Sequence, residues 1–229
     1  MNRRTFASTL AVSLAFLAAA AVTPAQGLNK SSNKDLIASG QEEGWIPLFD
    51  GKSLEGWKVN DFTNGSKWEV KDGMMCGSGT ASMIWTEKGG FKNFRFRAEV
   101  KINDKGNSGM YFRTKPNPGF VDGYECQINS THSDPIKTGS IYTWVHIFEQ
   151  LVPPDTWFTQ EIEVRDFDFR GKIVTMIVVK VNDKVLYQFL DHTREFKEGH
   201  FAFQQHDPGS KVFIRKAEVM PLKDETPGK

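Results

Sequence analysis

Residues 94–102, FRFRAEVKI, alternate between apolar and charged side chains without a break. Every even-numbered position is apolar and every odd-numbered position is charged. A strand sends successive side chains to opposite faces, whereas a helix would spread this pattern around its circumference. The run therefore predicts a strand with one buried face and one face in water.

Further short segments are rich in β-branched and aromatic residues and are separated by clusters of Gly, Pro, Asn and Asp. They predict strands at 68–71, 83–86, 157–164, 173–181, 185–189, 200–205 and 212–219. Asn182-Asp183 lies between two of them and predicts a hairpin with a tight turn. Eighteen Phe and six Trp supply large side chains to fill a space between sheets. We therefore predict an all-β fold, an antiparallel two-sheet β-sandwich.

The start of the chain has the features of an export signal. Arg3 and Arg4 precede an apolar stretch over 6–22 that ends in small residues. Residues 1–25 are predicted to be a signal peptide, and Arg3-Arg4 also fits a twin-arginine signal. We expect a polar tail over 26–43 with one helical turn near 35–39, a domain over 44–222 and a short tail over 223–229. The expected location is periplasmic or secreted.

Charge and cysteine content limit the partners. The formal net charge is +1 with acids and bases interspersed, which predicts no nucleic-acid binding and, after signal cleavage, no membrane attachment. An oxidising compartment allows a disulfide between Cys76 and Cys126. The alternative is that Cys126 is a buried free thiol. The sequence leaves both open.

Polar groups occur at two-residue spacing in 106–113 and 123–129. Glu125 and Gln127 alternate with apolar neighbours, so both should lie on the concave face of a sheet together with Arg113. Asn107 and Tyr111 belong to the same predicted strand as Arg113. A carboxylate, amides, a guanidinium and a phenol are the groups that sugar hydroxyls require. A solvated outer face is the alternative.

In this setting the chain resembles the 3-keto-disaccharide hydrolase family, formerly a domain of unknown function. The fold that this implies is the jelly-roll sandwich of concanavalin A-like lectins and glucanases. The motifs that carry the resemblance are WIPLFDGK at 45–52 with Leu54 and Trp57, Trp68-Glu69-Val70 with Asp72-Gly73, Gly106-Asn107-Ser108-Gly109 with Tyr111-Phe112-Arg113, Gly123-Tyr124-Glu125 with Gln127, Thr138-Gly139-Ser140-Ile141-Tyr142, Trp157, and Phe203-Gln204-Gln205-His206.

The resemblance implies a carbohydrate substrate whose glucose unit is already oxidised to a ketone at C3. The ketone acidifies the C2 hydrogen, so a base can remove it and the enolate can expel the C1 substituent, after which water adds. His206 is the candidate base because imidazole titrates near neutral pH, and Gln204 should share its face. Glu125 is the alternative base, or a ligand to sugar hydroxyls or to a divalent cation.

Other side chains are assigned to the substrate. Arg113 would hold the ketone or enolate oxygen, Tyr142 would protonate the departing oxygen, and Trp144 would stack on a sugar face. The predicted catalytic set is His206, Glu125 and Tyr142, and the predicted substrate-binding set is Arg113, Gln127, Asn107, Tyr111, Gln204 and Trp144.

Cofactor requirements are only partly constrained by the sequence. His132, Asp134 and His146 match no compact metal-ligand spacing. We therefore assign no metal ligands and expect no organic cofactor, and a divalent cation bound through Glu125 stays an alternative.

Glu161 and Glu163 test whether the chain is an ordinary glucanase. Such enzymes need two carboxylates across the scissile bond, but position 165, where a third would complete the usual pattern, is arginine. We interpret the two glutamates as the polar side of a strand. Two functions remain: an exported enzyme that cleaves 3-keto-glycosides, and a non-catalytic carbohydrate-binding module.

Overall fold

The computed structural model describes residues 44–224, and within that range it contains thirteen strands and no helix. The strands are β1 (Ile46–Pro47), β2 (Trp57–Asp61), β3 (Ser66–Lys71), β4 (Met74–Gly79), β5 (Ser82–Thr86), β6 (Phe94–Ile102), β7 (Ser108–Thr114), β8 (Tyr124–Ile128), β9 (Phe158–Phe169), β10 (Lys172–Val181), β11 (Lys184–Asp191), β12 (His200–Gln205) and β13 (Val212–Pro221). The predicted signal peptide, the tail over 26–43 with its helical turn, and residues 225–229 lie outside the described residues.

The strands form two antiparallel sheets. One has the order β11-β10-β9-β6-β13-β4-β3, with β1 paired to β13, and the other has the order β2-β5-β12-β7-β8. The predicted two-sheet β-sandwich is confirmed. No helix long and apolar enough to cross a membrane occurs in residues 44–224.

Aromatic side chains fill the space between the sheets, as the alternation in β6 predicts. Phe96 of β6 stacks on Phe201 of β12 at 4.1 Å between ring centroids, and Phe203 lies next to it. The apolar positions of β6 are all fully buried, whereas its charged positions are partly exposed. Burial of this one face fixes the strand register, since a shift by one residue would bury the charges.

The sequence patterns predict the bounds of some strands correctly and miss other strands. The predicted bounds of β6 and β12 match, and Asn182 and Asp183 form the expected hairpin turn, both with positive φ. The prediction misses β4, because MMCGSG carries two glycines and no β-branched residue. Cys76 on β4 and Cys126 on β8 belong to different sheets, and both are free thiols.

Candidate active site

A pocket of about 260 Å³ opens on the face of the five-stranded sheet that points away from the other sheet. Its walls combine polar groups from the strands with aromatic groups from the loops. The lining residues are Asn107, Phe120, Val121, Gly123, Glu125, Gln127, Asp134, Tyr142, Thr143, Trp144, Glu195, Phe196, Gln204 and His206. Strands β8 and β12, together with Asn107 just before β7, therefore supply its floor.

Strand β8 presents its polar side chains to the pocket, as predicted. Glu125 and Gln127 line it, while the alternate residues Tyr124, Cys126 and Ile128 pack in the core between the sheets. Gly109 on the neighbouring strand makes room for Glu125, because a Cβ at position 109 would collide with the carboxyl oxygen Oε1. The glycine thus lets a carboxyl lie across β7.

The segment after β8 folds back along the free edge of this strand. The Tyr142 N–H donates to the Glu125 carbonyl at 2.9 Å, and the Gln127 N–H donates to the Ser140 carbonyl at 2.9 Å. These bonds satisfy the edge of β8 and carry Tyr142 and Trp144 to the pocket wall. The Tyr142 hydroxyl donates to Asp134 Oδ2 at 3.2 Å, and burial and the Asp134 charge raise the pKa of Tyr142.

His206 follows the end of β12 and shares the pocket with Gln204, as predicted. Its Nδ1 lies 2.8 Å from Asp207 Oδ2, which leaves Nε2 as the free ring nitrogen when Nδ1 carries the proton. Ser210 Oγ donates to the same carboxylate oxygen at 2.9 Å and accepts the Asn107 N–H at 2.9 Å. Burial raises the pKa of Asp207, but the bonds from His206 and Ser210 outweigh it and hold the pKa below its usual value.

The two glutamines in the pocket each donate one amide N–H within the protein, and their amide oxygens have no partner among the described residues. Gln127 Nε2 donates to Asn107 Oδ1 at 3.0 Å, and Gln204 Nε2 donates to the Tyr111 hydroxyl at 3.1 Å. The Oε1 atoms of Gln127 and Gln204 are buried and have no partner in the described part of the chain. Because an unpartnered buried acceptor is costly, these oxygens are suited to ligand hydroxyl donors.

Glu125 is a buried carboxyl without a cation. Its residue is 8% exposed, and no basic side chain of residues 44–224 pairs with it. Burial raises its pKa to about 8, a hydrogen bond from Tyr111 opposes this rise, and the Asp134 charge adds to it. A carboxyl of this kind exchanges protons near neutral pH.

The ring nitrogens of His132 and His206 and a carboxylate oxygen of Asp207 lie within 4.8 Å of one another, close enough to consider a metal ion. However, His132 Nδ1 accepts the Asp134 N–H at 3.0 Å. A neutral His132 then keeps its proton on Nε2, the nitrogen that faces Asp207 at 3.8 Å. The cluster therefore fits a hydrogen-bonded network better than a metal site.

The predicted position of Arg113 on the pocket face is wrong. Thr114 and Tyr111 pair with His200 and Ala202, so Phe112 and Arg113 together oppose Phe201 in a β-bulge. Arg113 has φ 53° and turns toward the other sheet, where its guanidinium lies 3.0 Å from Asp166. Its side chain is fully buried and does not line the pocket.

Tyr111 also differs from its prediction, since it lies beneath the pocket and not in its lining. Its ring packs with Met83, Trp85 and Ala202, and its hydroxyl shares its one hydrogen between the Phe120 carbonyl, 3.3 Å away, and the Glu125 carboxyl. It supports Gln204 and Glu125 from below.

Glu161 and Glu163 share one side of strand β9, as the sequence indicated, and β9 belongs to the other sheet. Arg95 and Lys180 pair with Glu161, and Arg165 pairs with Glu163. Neither carboxylate lines the pocket.

The sequence prediction missed Asp207, Phe120 and Phe196, and it considered Asp134 only as a metal ligand. Asp207 directly follows His206, so adjacency to the proposed base was an available signal. Phe120, whose ring is parallel to that of His206 at 5.8 Å, and Phe196 come from loops. No periodicity indicates where such loop residues lie.

Comparisons with known proteins agree with this fold. The family model described as the 3-keto-α-glucoside-1,2-lyase-like domain matches residues 44–220. A 3-keto-disaccharide hydrolase from Bacteroides thetaiotaomicron is 31% identical over 103 residues, which are 40% of this chain and 35% of that protein. The match therefore spans about a third of the relative's length.

Two solved structures show the same architecture. A candidate glycosyl hydrolase from Parabacteroides distasonis superposes with a TM-score of 0.64 at 22% identity, covering 86% of this chain and 99% of its own. A family 66 carbohydrate-binding module from Bacillus subtilis gives 0.51 at 14% identity, covering 72% and 95%. These similarities show the fold alone. The family match over 44–220 identifies the chain as a member of the 3-keto-α-glucoside-1,2-lyase-like domain family.

Proposed function

We propose that this protein cleaves 3-keto-glycosides by removing the C2 proton, eliminating the C1 substituent and adding water. The observation that carries the proposal is the meeting of two proton-transfer groups in one pocket, the His206–Asp207 pair and the unpaired Glu125 carboxyl. Family membership supports the choice of substrate. Glu161 and Glu163, whose spacing in the sequence suggested a glucanase-like pair, are engaged in ion pairs on the other sheet and do not line the pocket.

His206 is the base in this proposal. Asp207 accepts a hydrogen bond from the Nδ1–H of His206. The other ring nitrogen, Nε2, is therefore free to take the C2 proton. The C–H electron pair forms a C2=C3 double bond, and the carbonyl pair moves to the C3 oxygen. When the carbonyl re-forms, the C1–O bond breaks and the leaving oxygen takes a proton from Tyr142. Water then adds across C1=C2, so that the net reaction is hydrolysis.

Sugar recognition is assigned to the amides and the aromatic walls. Gln127 Oε1 and Gln204 Oε1 accept hydrogen bonds from sugar hydroxyls, which satisfies both buried oxygens. Trp144 offers an apolar surface to the C–H face of the ring. Tyr124 and Phe189 contact its ring at centroid distances of 6.2 and 5.7 Å and hold it in place.

Incubation with 3-keto-glucosides of both anomers in deuterated water tests the reaction. We expect release of the aglycone and incorporation of deuterium at C2, while the unoxidised glucosides remain intact because their C2 hydrogen is not acidic. Binding of both sugar types without cleavage or exchange would favour the carbohydrate-binding module.

We also propose export by residues 1–25, on the sequence features alone. Fusion of residues 1–43 to a reporter that is active only outside the cytoplasm tests this. Loss of export on replacing Arg3 and Arg4 by Lys would assign the twin-arginine route.

A further inference from the structure

A keto-sugar offers the pocket one group that an ordinary sugar lacks, a carbonyl oxygen at C3. This oxygen only accepts hydrogen bonds, so it requires a donor. The side-chain amides of Gln127 and Gln204 each donate one N–H within the protein, to Asn107 and Tyr111, and their buried Oε1 atoms have no partner in the described part of the chain. These two glutamines therefore have acceptors to offer, and a protonated carboxyl beside them would supply a donor for the ketone.

Glu125 occupies the position of such a donor. Its carboxyl lies across Gly109 and lines the pocket between Tyr111 and Tyr142. The described chain has four other buried carboxylates: Glu161, Asp166 and Glu218 each contact at least one Arg or Lys, and Asp191 accepts hydrogen bonds from Tyr124, Thr193 and the Glu195 N–H. Glu125 has no cationic partner in the described chain, and the hydrogen bond from Tyr111 offsets only part of the cost of burying its charge.

The surroundings of Glu125 favour its neutral form. Burial raises its pKa to about 8, the hydrogen bond from Tyr111 lowers it, and the charge of Asp134 raises it. Tyr111, Tyr142 and Cys126 also lie close enough for their own pKa values to be raised by Glu125. None of these neighbours is cationic, so burial without a counter-ion favours the protonated carboxyl.

On the basis of the proposed function, we infer that Glu125 is a neutral acid whose O–H binds the C3 oxygen of the keto-sugar, and that it is not the base. His206 takes the C2 proton, the C–H pair becomes C2=C3, and the negative charge develops on an oxygen that already accepts the Glu125 O–H. This hydrogen bond strengthens as charge develops and therefore stabilises the enolate more than the ketone.

A binding experiment that needs no turnover tests this inference. The probe is 3-keto-1,5-anhydroglucitol, which has no C1 leaving group, and 1,5-anhydroglucitol is the unoxidised control. Calorimetry at pH 7 and pH 9.5 would compare the wild type, Glu125→Gln, Glu125→Ala and the control Glu163→Gln, whose carboxylate lies on the other sheet paired with Arg165.

We expect the wild type to lose about tenfold in its preference for the keto compound between pH 7 and 9.5, since the donor becomes a charged acceptor. Glu125→Gln should keep the preference at both values, because its amide still donates and does not ionise. Glu125→Ala should lose it at both, and Glu163→Gln should behave as the wild type. If Glu125→Gln binds the keto probe no better than Glu125→Ala, or the wild-type preference is independent of pH, the inference is wrong.

Turnover provides a second, independent readout. An acid that must be protonated gives kcat/KM an alkaline limb near pH 8, and Glu125→Gln should remove this limb while retaining turnover within about a hundredfold of the wild type. If Glu125 is instead the base, Glu125→Gln abolishes turnover and the wild-type rate rises through pH 8. A wild type that cleaves no keto-glycoside refutes the proposed function, and the binding result still decides the role of Glu125.

Discussion

Two groups of buried polar side chains are built around Arg113 of β7 and Glu125 of β8, and they differ in how many of their hydrogen bonds are satisfied. Around Arg113, all three guanidinium nitrogens donate, to the Lys92 and Phe196 carbonyls, Thr175 and Asp166. In the pocket, Gln127 Oε1 and Gln204 Oε1 have no partner in the described chain, and Glu125 has no cation. We call the group around Arg113 the closed cluster and the group in the pocket the open cluster.

The contrast separates structural polar groups from functional ones. The closed cluster compensates the burial of its charges: burial raises the pKa of Asp166, but Thr175, Arg113 and Arg194 together lower it below the usual value. It also ties down the loop before β12, because Arg113 holds the carbonyl of Phe196, a residue of the pocket wall. The open cluster leaves buried groups uncompensated, which a folded chain tolerates where a ligand completes the bonding.

The largest expected effect is in the open cluster. Replacing His206 by Ala should lower the elimination rate by about two to four orders of magnitude, the usual contribution of a positioned base, and leave sugar binding and stability nearly unchanged. Single-turnover rates and calorimetry would measure both. His192→Ala is the control, since His192 does not line the pocket. Near wild-type turnover of His206→Ala would remove the base from the proposed mechanism.

Substitutions in the closed cluster should lower the stability of the fold, whereas His206→Ala lowers the reaction rate. Arg113→Met should lower the free energy of unfolding by about 3–5 kcal/mol, because it breaks a buried ion pair, and Arg113→Lys should recover little of this since a lysine cannot span the same acceptors. Arg165→Met, which breaks a partly exposed pair with Glu163, should cost less than about 1 kcal/mol. Denaturant titration measures these losses. Normal stability combined with lost turnover would instead return Arg113 to a substrate-binding role.

Burial of Glu125 should lower the free energy of unfolding, and this loss should grow as the pH rises. Below its ordinary pKa of 4.5 both the folded and unfolded chains hold its proton; between 4.5 and about 8 only the folded chain does, so stability falls as pH rises and levels off above 8. Glu125→Gln removes this loss. Its advantage over the wild type in free energy of unfolding should grow by roughly 2–4 kcal/mol between pH 4 and pH 9. An advantage that does not change with pH would mean that the folded carboxyl titrates normally.

The smallest effect concerns the unpartnered amide oxygens. Gln204→Met should weaken binding of a glucoside about three- to tenfold, the value of one hydrogen bond. Gln160→Met is the matched control, because Gln160 Oε1 is also buried and unpartnered but does not line the pocket. Equal losses of affinity in the two variants would show that the open cluster is not a sugar-binding surface.

The sequence predicted those parts of the fold that depend on periodicity. Strands β6 and β12, the hairpin turn at Asn182-Asp183, and the division of β8 into a core side and a pocket side with Glu125 all follow from the preferences of adjacent residues. Burial enforces them, because a shift by one residue would exchange the two faces of a strand.

Only the tertiary structure decided the direction of Arg113 and the buried, cation-free surroundings of Glu125. A single extra residue in β7 turns Arg113 away from the pocket, and alternation along the strand cannot reveal a bulge that is defined by pairing with β12. The pKa of Glu125 depends on burial beneath loops and on the distance to Asp134, nine residues further along the chain. The sequence thus determined which chemical groups are present on each strand, whereas contacts between distant segments determined which of them have bonds to spare for a substrate.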